Sequence, residues 1–389
     1  MQHLRGVSFL GALNIAAGVP DSLRFSRYDH SISVAYLTWH FCQNLGIREE
    51  ISLTTALAAL IHDVTHPPFS HSAEVYLQIR SGVETKHTSA LTEKKITKVV
   101  KEGYNSLPIS LQNEGPEKLA SRLYKLLNFR EERKKYHPYI ADIFDTPFCP
   151  DTFDGINRAW HALNAKEVKY RLSAEKLKFP ETTDPISLIR FISLTTPYPF
   201  VYKSKAPPSK ANLIYKFHDL MRVLYNGFIY SDWQSSAMVM FARALEITYR
   251  DAARFEFSQN DAEVIKKIQG NPISDKIYNL IVEGHNFYSL SKENLSLFRL
   301  SLDYYAKAKK QKKSYKEIKR EVEALVASSL KISAESVFWY KYRQLTWSFD
   351  NIGFQEFGKD ENLWSLKWDS SEGEPRTESE IEVYYTTSL

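Results

Sequence analysis

Cysteine is nearly absent from the sequence, and this scarcity limits the classes of protein to consider. Only Cys42 and Cys149 occur among 389 residues, far apart and outside any Cys-x-x-Cys spacing. A disulfide framework is therefore not expected, and a reducing compartment is the default. No hydrophobic run reaches the length of a membrane span. We expect a cytoplasmic protein, with residues 7–13 as its first structural segment and not a targeting sequence.

Glycine is also scarce, with 14 residues, and Leu, Lys, Glu and Ala are plentiful, so the composition favours helix. Apolar residues recur at helical spacing over 30–45, 49–63, 117–143, 153–169, 211–257 and 275–330. Aromatic and β-branched residues over 336–354 and 381–385 predict strands near the end. We therefore predict a mostly α fold, with a helical core at 1–165 and a helical extension at 166–389. The extension would complete the active site and carry a small β or mixed segment.

Three other segments are less regular. Residues 178–212 contain repeated prolines and predict extended chain, either a small β element or an active-site flap. Residues 369–379 predict a flexible connection. The net charge of +5 is modest, and it suits an anionic small molecule without indicating nucleic acid. The basic segment 306–320 is typical of a solvated helix, and a contact with nucleic acid or an acidic partner is the alternative.

The most informative residues are histidines and aspartates in the first half of the chain. His62 and Asp63 end an apolar helical run, because Pro67 and the next proline cannot continue a helix. His30 lies upstream, within another predicted helix. Imidazole nitrogens and carboxylate oxygens together suit a borderline or hard divalent metal and leave positions open for water. An adjacent His-Asp pair is a common dipeptide, so the ordered set is the stronger signal.

Three segments resemble the HD-domain phosphohydrolases, specifically the deoxynucleoside triphosphate triphosphohydrolase branch. RYDHSISVAYL is similar to that branch's entry helix, and ALAALIHDVTHPPFSHSAE is similar to its second signature. PFCPDTFDGINRAW is similar to its later acidic element. The resemblance covers residues 8–160 and continues more faintly over 220–245. It implies a divalent metal (Mn, Mg, Fe, Co, Ni or Zn) bound by four residues, namely His30, His62, Asp63 and Asp151.

The resemblance also implies roles around the metal. Arg27 would hold phosphate, the alternative being an ion pair with Asp29 or another nearby acid. His66 and His71 would donate a proton or place charge on the phosphate chain, with Glu74 orienting His71. His87 would be a further active-site histidine, the alternative being a helix N-terminal residue. Asp154 and Arg158 would support Asp151. Tyr225, Tyr230 and Arg222 would contact the substrate, and a core helix is the alternative for the two tyrosines.

Three positions depart from the family pattern. Thr152 stands where many relatives have a basic residue, Gly155 where Tyr is usual, and Ala159 where many have Asp. We expect all three to face the substrate, so nucleoside recognition would be altered while the metal site is kept.

The resemblance implies a metal-dependent phosphohydrolase acting on a nucleotide, with a metal-bound water cleaving a deoxynucleoside triphosphate into nucleoside and triphosphate. The alternatives are a phosphodiesterase, phosphomonoesterase or nuclease at the same site, or a nucleotide-sensing regulatory protein with little turnover. Homo-oligomers are expected by resemblance alone.

Overall fold

The computed structural model describes fifteen stretches of the chain, with gaps between them. These stretches are residues 1–81, 91–136, 140–145, 149–171, 184–186, 201–203, 208–229, 232–249, 255–256, 258–284, 288–289, 293–346, 352–357, 363–368 and 376–385.

Helices dominate, which confirms the mostly α prediction. In chain order they are α1 Ala12–Ala16, α2 Arg27–Asn44, α3 Glu49–Ile61, α4 His71–Ser81, α5 Glu93–Gly103, α6 Ile109–Gln112, α7 Pro116–Asn128, α8 Arg130–Tyr136, α9 Ile140–Asp145, α10 Pro150–Leu163, α11 Lys166–Arg171, α12 Pro208–Leu224, α13 Asp232–Thr248, α14 Asp261–Gln269, α15 Pro272–Glu283, α16 Leu295–Lys310 and α17 Tyr315–Leu330. Short 3-10 helices lie at Gln2–Gly6, Asp21–Leu23, Tyr104–Ser106 and Ala334–Ser336.

Two small antiparallel sheets complete the fold. Their strands are β1 Val201–Lys203, β2 Tyr288–Ser289, β3 Val337–Thr346, β4 Ile352–Phe357, β5 Leu363–Trp368 and β6 Arg376–Tyr385. One sheet has the order β1-β5-β4 and the other has the order β2-β6-β3. In the second sheet, Val337 pairs with Tyr385 and Thr346 pairs with Arg376. The predicted strands at 336–354 and 381–385 are thus confirmed.

The helices bury two main apolar cores. The first lies among α2, α3, α5, α7, α10 and α12, and includes Phe41, Phe153 and Phe217. The second joins α1 and α4 to α13, α14 and α15, and includes Phe69 and Phe241. Both cores therefore combine residues from before and after position 165. The candidate site lies between them, on the ends of α2, α3, α4 and α10.

Several element boundaries differ from the sequence predictions. Asp151 lies in the first turn of α10, because Pro150 is favoured at the first helical position. The long helix predicted at 211–257 is interrupted by a π-helical turn, Tyr225–Ile229. Within 369–379, residues from Arg376 onward belong to β6 and are not a flexible connection. Of 178–212, Val201–Lys203 is a strand and Pro208 begins α12, whereas most of the segment lies outside the described residues.

The basic segment 306–320 is not a single helix. It comprises the end of α16, a turn, and the start of α17, whose N-cap is Ser314. Lys319 is buried and pairs with Glu323 at 2.8 Å and with Glu246 at 3.1 Å. The lysines at 307, 309, 310, 312 and 316 are exposed. The segment thus combines one buried structural lysine with a solvated surface.

None of the described helices is both long and apolar enough to cross a membrane.

Candidate metal centre

The N-terminus of α2 places two site residues on its buried face. Ser26 caps the helix, and its hydroxyl accepts the Asp29 amide hydrogen while the Asp29 carboxylate accepts from Ser26. This reciprocal capping fixes where the helix begins. Arg27 and His30 follow three residues apart and therefore share a face, where their residues are 5% and 0% exposed.

His62 and Asp63 lie directly after α3, as the sequence predicts. The His62 Nδ1 atom donates to the Ala59 carbonyl oxygen at 2.6 Å. Since a carbonyl oxygen only accepts, the proton lies on Nδ1 and the Nε2 lone pair points away from the helix. The local chain thus presents His62 in the tautomer that can bind a metal through Nε2.

The first turn of α10 brings Asp151 to the same point. The Asp151 Oδ1 atom lies 3.0 Å from His30 Nε2 and 3.9 Å from His62 Nε2. The Asp63 carboxylate lies 3.7 Å from His30 Nε2 and 3.2 Å from His62 Nε2. Two ligands bound at about 2.1 Å to one ion are about 3.0 Å apart at a right angle and about 3.4 Å apart in a tetrahedron. His30, His62 and Asp151 each bring a ligand atom within 4.8 Å of the others, which suits one ion, and Asp63 borders this trio through two different oxygens.

The polar atoms that face this point also fit a metal. His30 Nε2 and His62 Nε2 are buried and make no hydrogen bond of acceptable geometry. Buried polar nitrogens without such a bond are uncommon in native proteins, and a coordinated ion would satisfy both. The Asp63 side chain is 3% exposed and the Asp151 side chain 59%, so the set is closed on one side and open on the other. An open side is what a substrate phosphate requires.

A further carboxylate orients His30. The Asp154 Oδ2 atom lies 2.6 Å from His30 Nδ1 and accepts its hydrogen, while Arg158 Nε donates to the same oxygen at 2.5 Å. Arg158 also donates to the Asp29 carbonyl oxygen. Metal-binding histidines commonly donate their other ring hydrogen to a carboxylate in this way. Asp154 and Arg158 therefore support His30 directly, and not Asp151 as the sequence analysis expected.

Charge in the site is strongly coupled. Burial by itself lowers the pKa of His30, but the carboxylates of Asp151, Asp154 and Asp63 raise this pKa to about 9. Burial works to raise the pKa of Asp63, whereas the charges of His62, His66 and Arg27 hold it well below its usual range. The Asp63 carboxylate is thus ionised, and the carboxylates around His30 favour a positive charge at this point of the site.

Arg27 has protein partners for each guanidinium nitrogen. Nη1 donates to Asp63 Oδ2 at 2.8 Å, Nε donates to Ser70 Oγ at 2.9 Å, and Nη2 donates to the Phe9 carbonyl oxygen at 3.3 Å. This arrangement favours the ion pair with a nearby acid, although the partner is Asp63 and not Asp29. Arg27 thus orients Asp63, and the phosphate-binding role implied by the resemblance has no direct support here.

His66, His71 and Glu74 form a second group beside the first. His66 is 1% exposed, and its Nε2 lies 3.1 Å from Asp63 Oδ1. His71 begins α4, its side chain is 60% exposed, and its Nδ1 lies 2.8 Å from Glu74 Oε2. Among the described side chains, this trio and the His30, His62 and Asp151 trio each bring three potential ligand atoms within 4.8 Å. Glu74 orients His71, as the sequence analysis expected.

The other proposed substrate residues are placed less directly. His87 and Tyr230 lie outside the described residues. Tyr225 is partly buried and packs against the first core, which agrees with its structural alternative. The Arg222 side chain is 51% exposed and lies 3.9 Å from Asp219.

The three departures from the family pattern recur at helical spacing on one face of α10, but they do not all face the substrate. Ala159 is 1% exposed and lies in the first core, so it does not face the substrate. Thr152 contacts Cys149 near the helix start. A Cβ atom on Gly155 would lie 3.2 Å from the Phe9 ring, whose centroid is 4.7 Å from that of His30. Phe9 therefore fills the space beside Gly155.

The turn between His66 and α4 is strained. Phe69 and Ser70 have φ values of 59° and 52°, the left-handed region that costs a non-glycine residue about 1 kcal/mol or more. Gly11 lies against this turn with φ 56°, and a Cβ atom there would be 2.2 Å from the Phe69 carbonyl oxygen. The Ala12 amide donates to Ser72 Oγ. The N-terminal segment and the turn therefore fit closely.

Sequence reasoning missed three residues that shape the site. Ser70 lies inside the quoted signature, and its position between Phe69 and His71 was an available signal. Phe9 and Asp261 carry no pattern of their own, because their neighbours in space are distant in sequence. Asp261 accepts hydrogen bonds from the Ser8 and Phe69 amides.

Two short segments of the chain are similar to known proteins. A segment of 74 residues, 19% of the chain, is 30% identical to an uncharacterized protein of Methanocaldococcus jannaschii and covers 15% of it. A segment of 53 residues, 14% of the chain, is 42% identical to a deoxyguanosinetriphosphate triphosphohydrolase-like protein of Neorickettsia sennetsu and covers 13% of it. The chain thus spans only a small part of either relative, and neither whole-protein activity follows from the match.

A solved structure supports the overall architecture. A phosphohydrolase from Bacteroides thetaiotaomicron superposes with a TM-score of 0.59 over 99% of this chain and 92% of its own, at 13% identity. At that identity the likeness concerns the fold. Residues 27–142, which hold Arg27, His30, His62 and Asp63, match the HD domain family. Asp151 joins these histidines from α10, just beyond the matched region.

Proposed function

We propose that this protein is a metal-dependent phosphohydrolase acting on a nucleotide, with a deoxynucleoside triphosphate as the favoured substrate. The observation that carries the proposal is the convergence of His30 Nε2, His62 Nε2 and two carboxylates at spacings of 3.0–3.9 Å. Mixed nitrogen and oxygen sets of this kind hold Mn, Fe, Co, Ni or Zn, and carboxylates also suit Mg. When bound, such an ion lowers the pKa of a water molecule and polarises a phosphate oxygen.

The residues of the site would hold the ion, orient its ligands and leave an approach for the phosphate. His30, His62, Asp63 and Asp151 would hold the ion, and the Arg27 guanidinium orients Asp63 through a 2.8 Å contact. Asp154 fixes the tautomer of His30 by accepting its Nδ1 hydrogen. These contacts leave the Asp151 side as the approach for a phosphate, since that side chain is the most exposed of the set.

His71 is the better placed of the two further histidines to give a proton to the leaving oxygen. Its exposed side chain is held by Glu74, whose Oε2 atom lies 2.8 Å from His71 Nδ1. His66 is buried against Asp63 and would stabilise that carboxylate. General acid catalysis of this kind contributes about 10²- to 10⁴-fold to a rate.

The deoxynucleoside triphosphate assignment has two supports. The first support is that the three sequence segments resemble that branch. The second is that a 53-residue segment is 42% identical to a deoxyguanosinetriphosphate triphosphohydrolase-like protein. The expected products are nucleoside and triphosphate. Homo-oligomers are proposed from the resemblance alone. A contact with nucleic acid through the exposed lysines of 306–320 is proposed from their charge alone.

Phosphomonoester or phosphodiester hydrolysis at the same metal site is a second candidate. The position that is usually Tyr in relatives is Gly155 here, and the Phe9 ring fills the adjacent space. A changed contact beside the metal ligands alters what a nucleoside would meet, while it leaves the ligands untouched. A nuclease is included in this candidate.

Product analysis separates the two candidates. Metal-loaded protein is incubated with pooled deoxynucleotides, ribonucleotides and a short oligonucleotide, and the products are identified by mass spectrometry. Release of triphosphate supports the first candidate, and release of monophosphate or shortened oligonucleotide supports the second. Asp151→Asn should abolish turnover, whereas Asp303→Asn removes an exposed carboxylate from α16 and should retain it. Tight nucleotide binding without turnover under Mn, Mg, Fe, Co, Ni or Zn would instead indicate a sensor.

A further inference from the structure

We propose that Asp261 is a positioning residue for the metal centre, acting through the Phe69–Ser70 turn. The inference rests on the proposed metal-dependent function, and it concerns a residue outside the HD-domain match. Asp261 is the first residue of α14 and lies 192 positions after Phe69 in the chain. The sequence pattern around Asp261 does not link this residue to the histidines and aspartates of the site.

Both carboxylate oxygens of Asp261 are committed to backbone amides of other segments. Oδ1 accepts the Phe69 amide hydrogen at 2.7 Å, and Oδ2 accepts the Ser8 amide hydrogen at 2.9 Å. An acid at the start of a helix normally serves its own helix or faces water. Here the capping is done by Asn260, whose side chain accepts from Glu263. Asp261 is thereby left to join the N-terminal segment to the turn.

The turn that Asp261 holds would otherwise be unfavourable. Phe69 and Ser70 are both non-glycine residues in the left-handed region. Such residues persist where the surrounding structure fixes them, and they concentrate at functional sites. The Phe69 amide is one of the groups through which this turn is fixed, because its hydrogen points to Asp261 Oδ1.

Hydrogen bonds continue from the turn to the proposed metal ligands. Ser70 Oγ donates to the Ser8 carbonyl oxygen at 2.7 Å and accepts from Arg27 Nε at 2.9 Å. Arg27 Nη1 in turn donates to Asp63 Oδ2. Asp261 therefore fixes Ser8 and the Phe69–Ser70 turn. These two segments position Arg27, which in turn donates to Asp63. The same turn connects His66 to His71.

The test compares Asp261→Ala with Asn271→Ala in the full chain. Asn271 also accepts two backbone amide hydrogens, from Ile273 and Ser274, but these belong to its own helix, α15. We measure Mn²⁺ affinity by titration, hydrogen exchange of residues 63–72, and hydrolysis. Partners beyond the ligands commonly change metal affinity or activity by about 10- to 100-fold. We expect Asp261→Ala to weaken Mn²⁺ binding about fivefold or more and to speed exchange in the turn, while Asn271→Ala changes neither.

Two further variants separate positioning from general stability. Asp261→Asn keeps one acceptor oxygen and should be intermediate, whereas a role of charge alone would make it equal to Asp261→Ala. Ser70→Ala interrupts the same path, so its effect on Mn²⁺ affinity should be non-additive with that of Asp261→Ala. Additive effects, or equal losses in Asp261→Ala and Asn271→Ala, would overturn the inference.

Failure of the proposed function gives a different result. Wild-type protein that binds Mn²⁺ without hydrolysing any nucleotide refutes the enzyme proposal, and the affinity comparison still decides the role of Asp261. Wild-type protein that hydrolyses nucleotide with unchanged Mn²⁺ affinity in Asp261→Ala refutes only the positioning role. Absence of Mn²⁺, Co²⁺, Ni²⁺, Fe²⁺ and Zn²⁺ binding by the wild type overturns both.

Discussion

His30 shows how one buried side chain combines two tasks through its two ring nitrogens. Nδ1 is held by Asp154, and Nε2 faces the other proposed ligands. Because the ring is fully buried, its orientation depends on the acid that holds it. The metal affinity of the proposed site therefore depends on Asp154, which is not itself a proposed ligand.

Replacing Asp154 with Asn should test this dependence. The amide can accept the His30 hydrogen with its oxygen, but it loses the charge that stabilises the imidazole and its pairing with Arg158. We expect metal affinity to fall about tenfold or more, measured by Mn²⁺ titration. Asp303→Asn makes the same chemical change at an exposed position of α16 and should leave the affinity unaltered. Equal affinities in the two variants would contradict the assignment of Asp154.

The raised pKa of His30 predicts a pH dependence in the metal-free protein. Its folded pKa of about 9 lies above the ordinary value of 6.5, so the bound proton stabilises the folded state. This contribution is fully present below pH 6.5 and is lost as the pH rises through 9, and a difference of that size corresponds to about 3 kcal/mol. Urea unfolding from pH 6 to 10 with a chelator present measures it.

Metal should reverse the sign of this dependence. A metal binds the neutral imidazole, so its affinity is expected to increase over the same pH range as the His30 proton is lost. In His30→Gln the stability decline should disappear from the metal-free protein. A wild-type stability that does not change between pH 6.5 and 9 would show that the buried ring does not carry the proton.

At the scale of elements, the turn after His66 depends on a glycine from the N-terminal segment. Gly11→Ala would place a Cβ atom 2.2 Å from the Phe69 carbonyl oxygen, in addition to the cost of φ 56°. Gly46 has φ 66°, and no atom lies within 4 Å of the position that a methyl group would take there, so Gly46→Ala isolates the conformational cost. We expect about 1–2 kcal/mol for Gly46→Ala and at least about 3 kcal/mol for Gly11→Ala by urea unfolding. Mn²⁺ affinity should fall only in Gly11→Ala, and similar effects of the two substitutions would refute the close fit.

The basic segment 306–320 provides a second prediction for an element. Lys319 is buried beside the Glu323 and Glu246 carboxylates, so Lys319→Ala leaves these two carboxylates to share the Arg243 guanidinium. We expect a loss of about 3 kcal/mol in the free energy of unfolding. Lys316 is exposed on the same helix, and Lys316→Ala should change stability by less than about 0.5 kcal/mol. Thermal or urea unfolding distinguishes the two lysines, and equal losses would argue against the buried pairing.

Local patterns predicted most elements because apolar spacing and proline report directly on the backbone. The end of α3 before His62 and the strands near the C-terminus follow from such signals. The turn that divides the basic segment into two helices could not be predicted in this way. Lysine-rich sequence is compatible with helix on both sides of Lys312, which has φ 58°. The roles of Arg27 and Asp261 also required tertiary contacts, since their partners are 36 and 192 residues away.

At the scale of the molecule, the two cores cross the predicted domain boundary at residue 165. The first core includes Phe217, and the second joins Tyr76 on α4 to Phe241 on α13. A fragment of residues 1–171 would expose these apolar faces. We expect it to aggregate or to lack fixed tertiary packing by near-ultraviolet circular dichroism, whereas residues 1–284 should retain that signal. A stable, monomeric 1–171 fragment would instead support the predicted core at 1–165.

Phe69 belongs at once to the site and to the second core. Its amide and carbonyl groups form the turn, while its buried ring lies 4.3 Å, centroid to centroid, from the ring of Phe241. Metal binding at the proposed site would therefore be linked to the stability of the second core. A change in the packing of Phe241 would then change the metal affinity. Substitutions in α13 that never approach the ion would then behave as metal-deficiency variants, and surplus metal would rescue them.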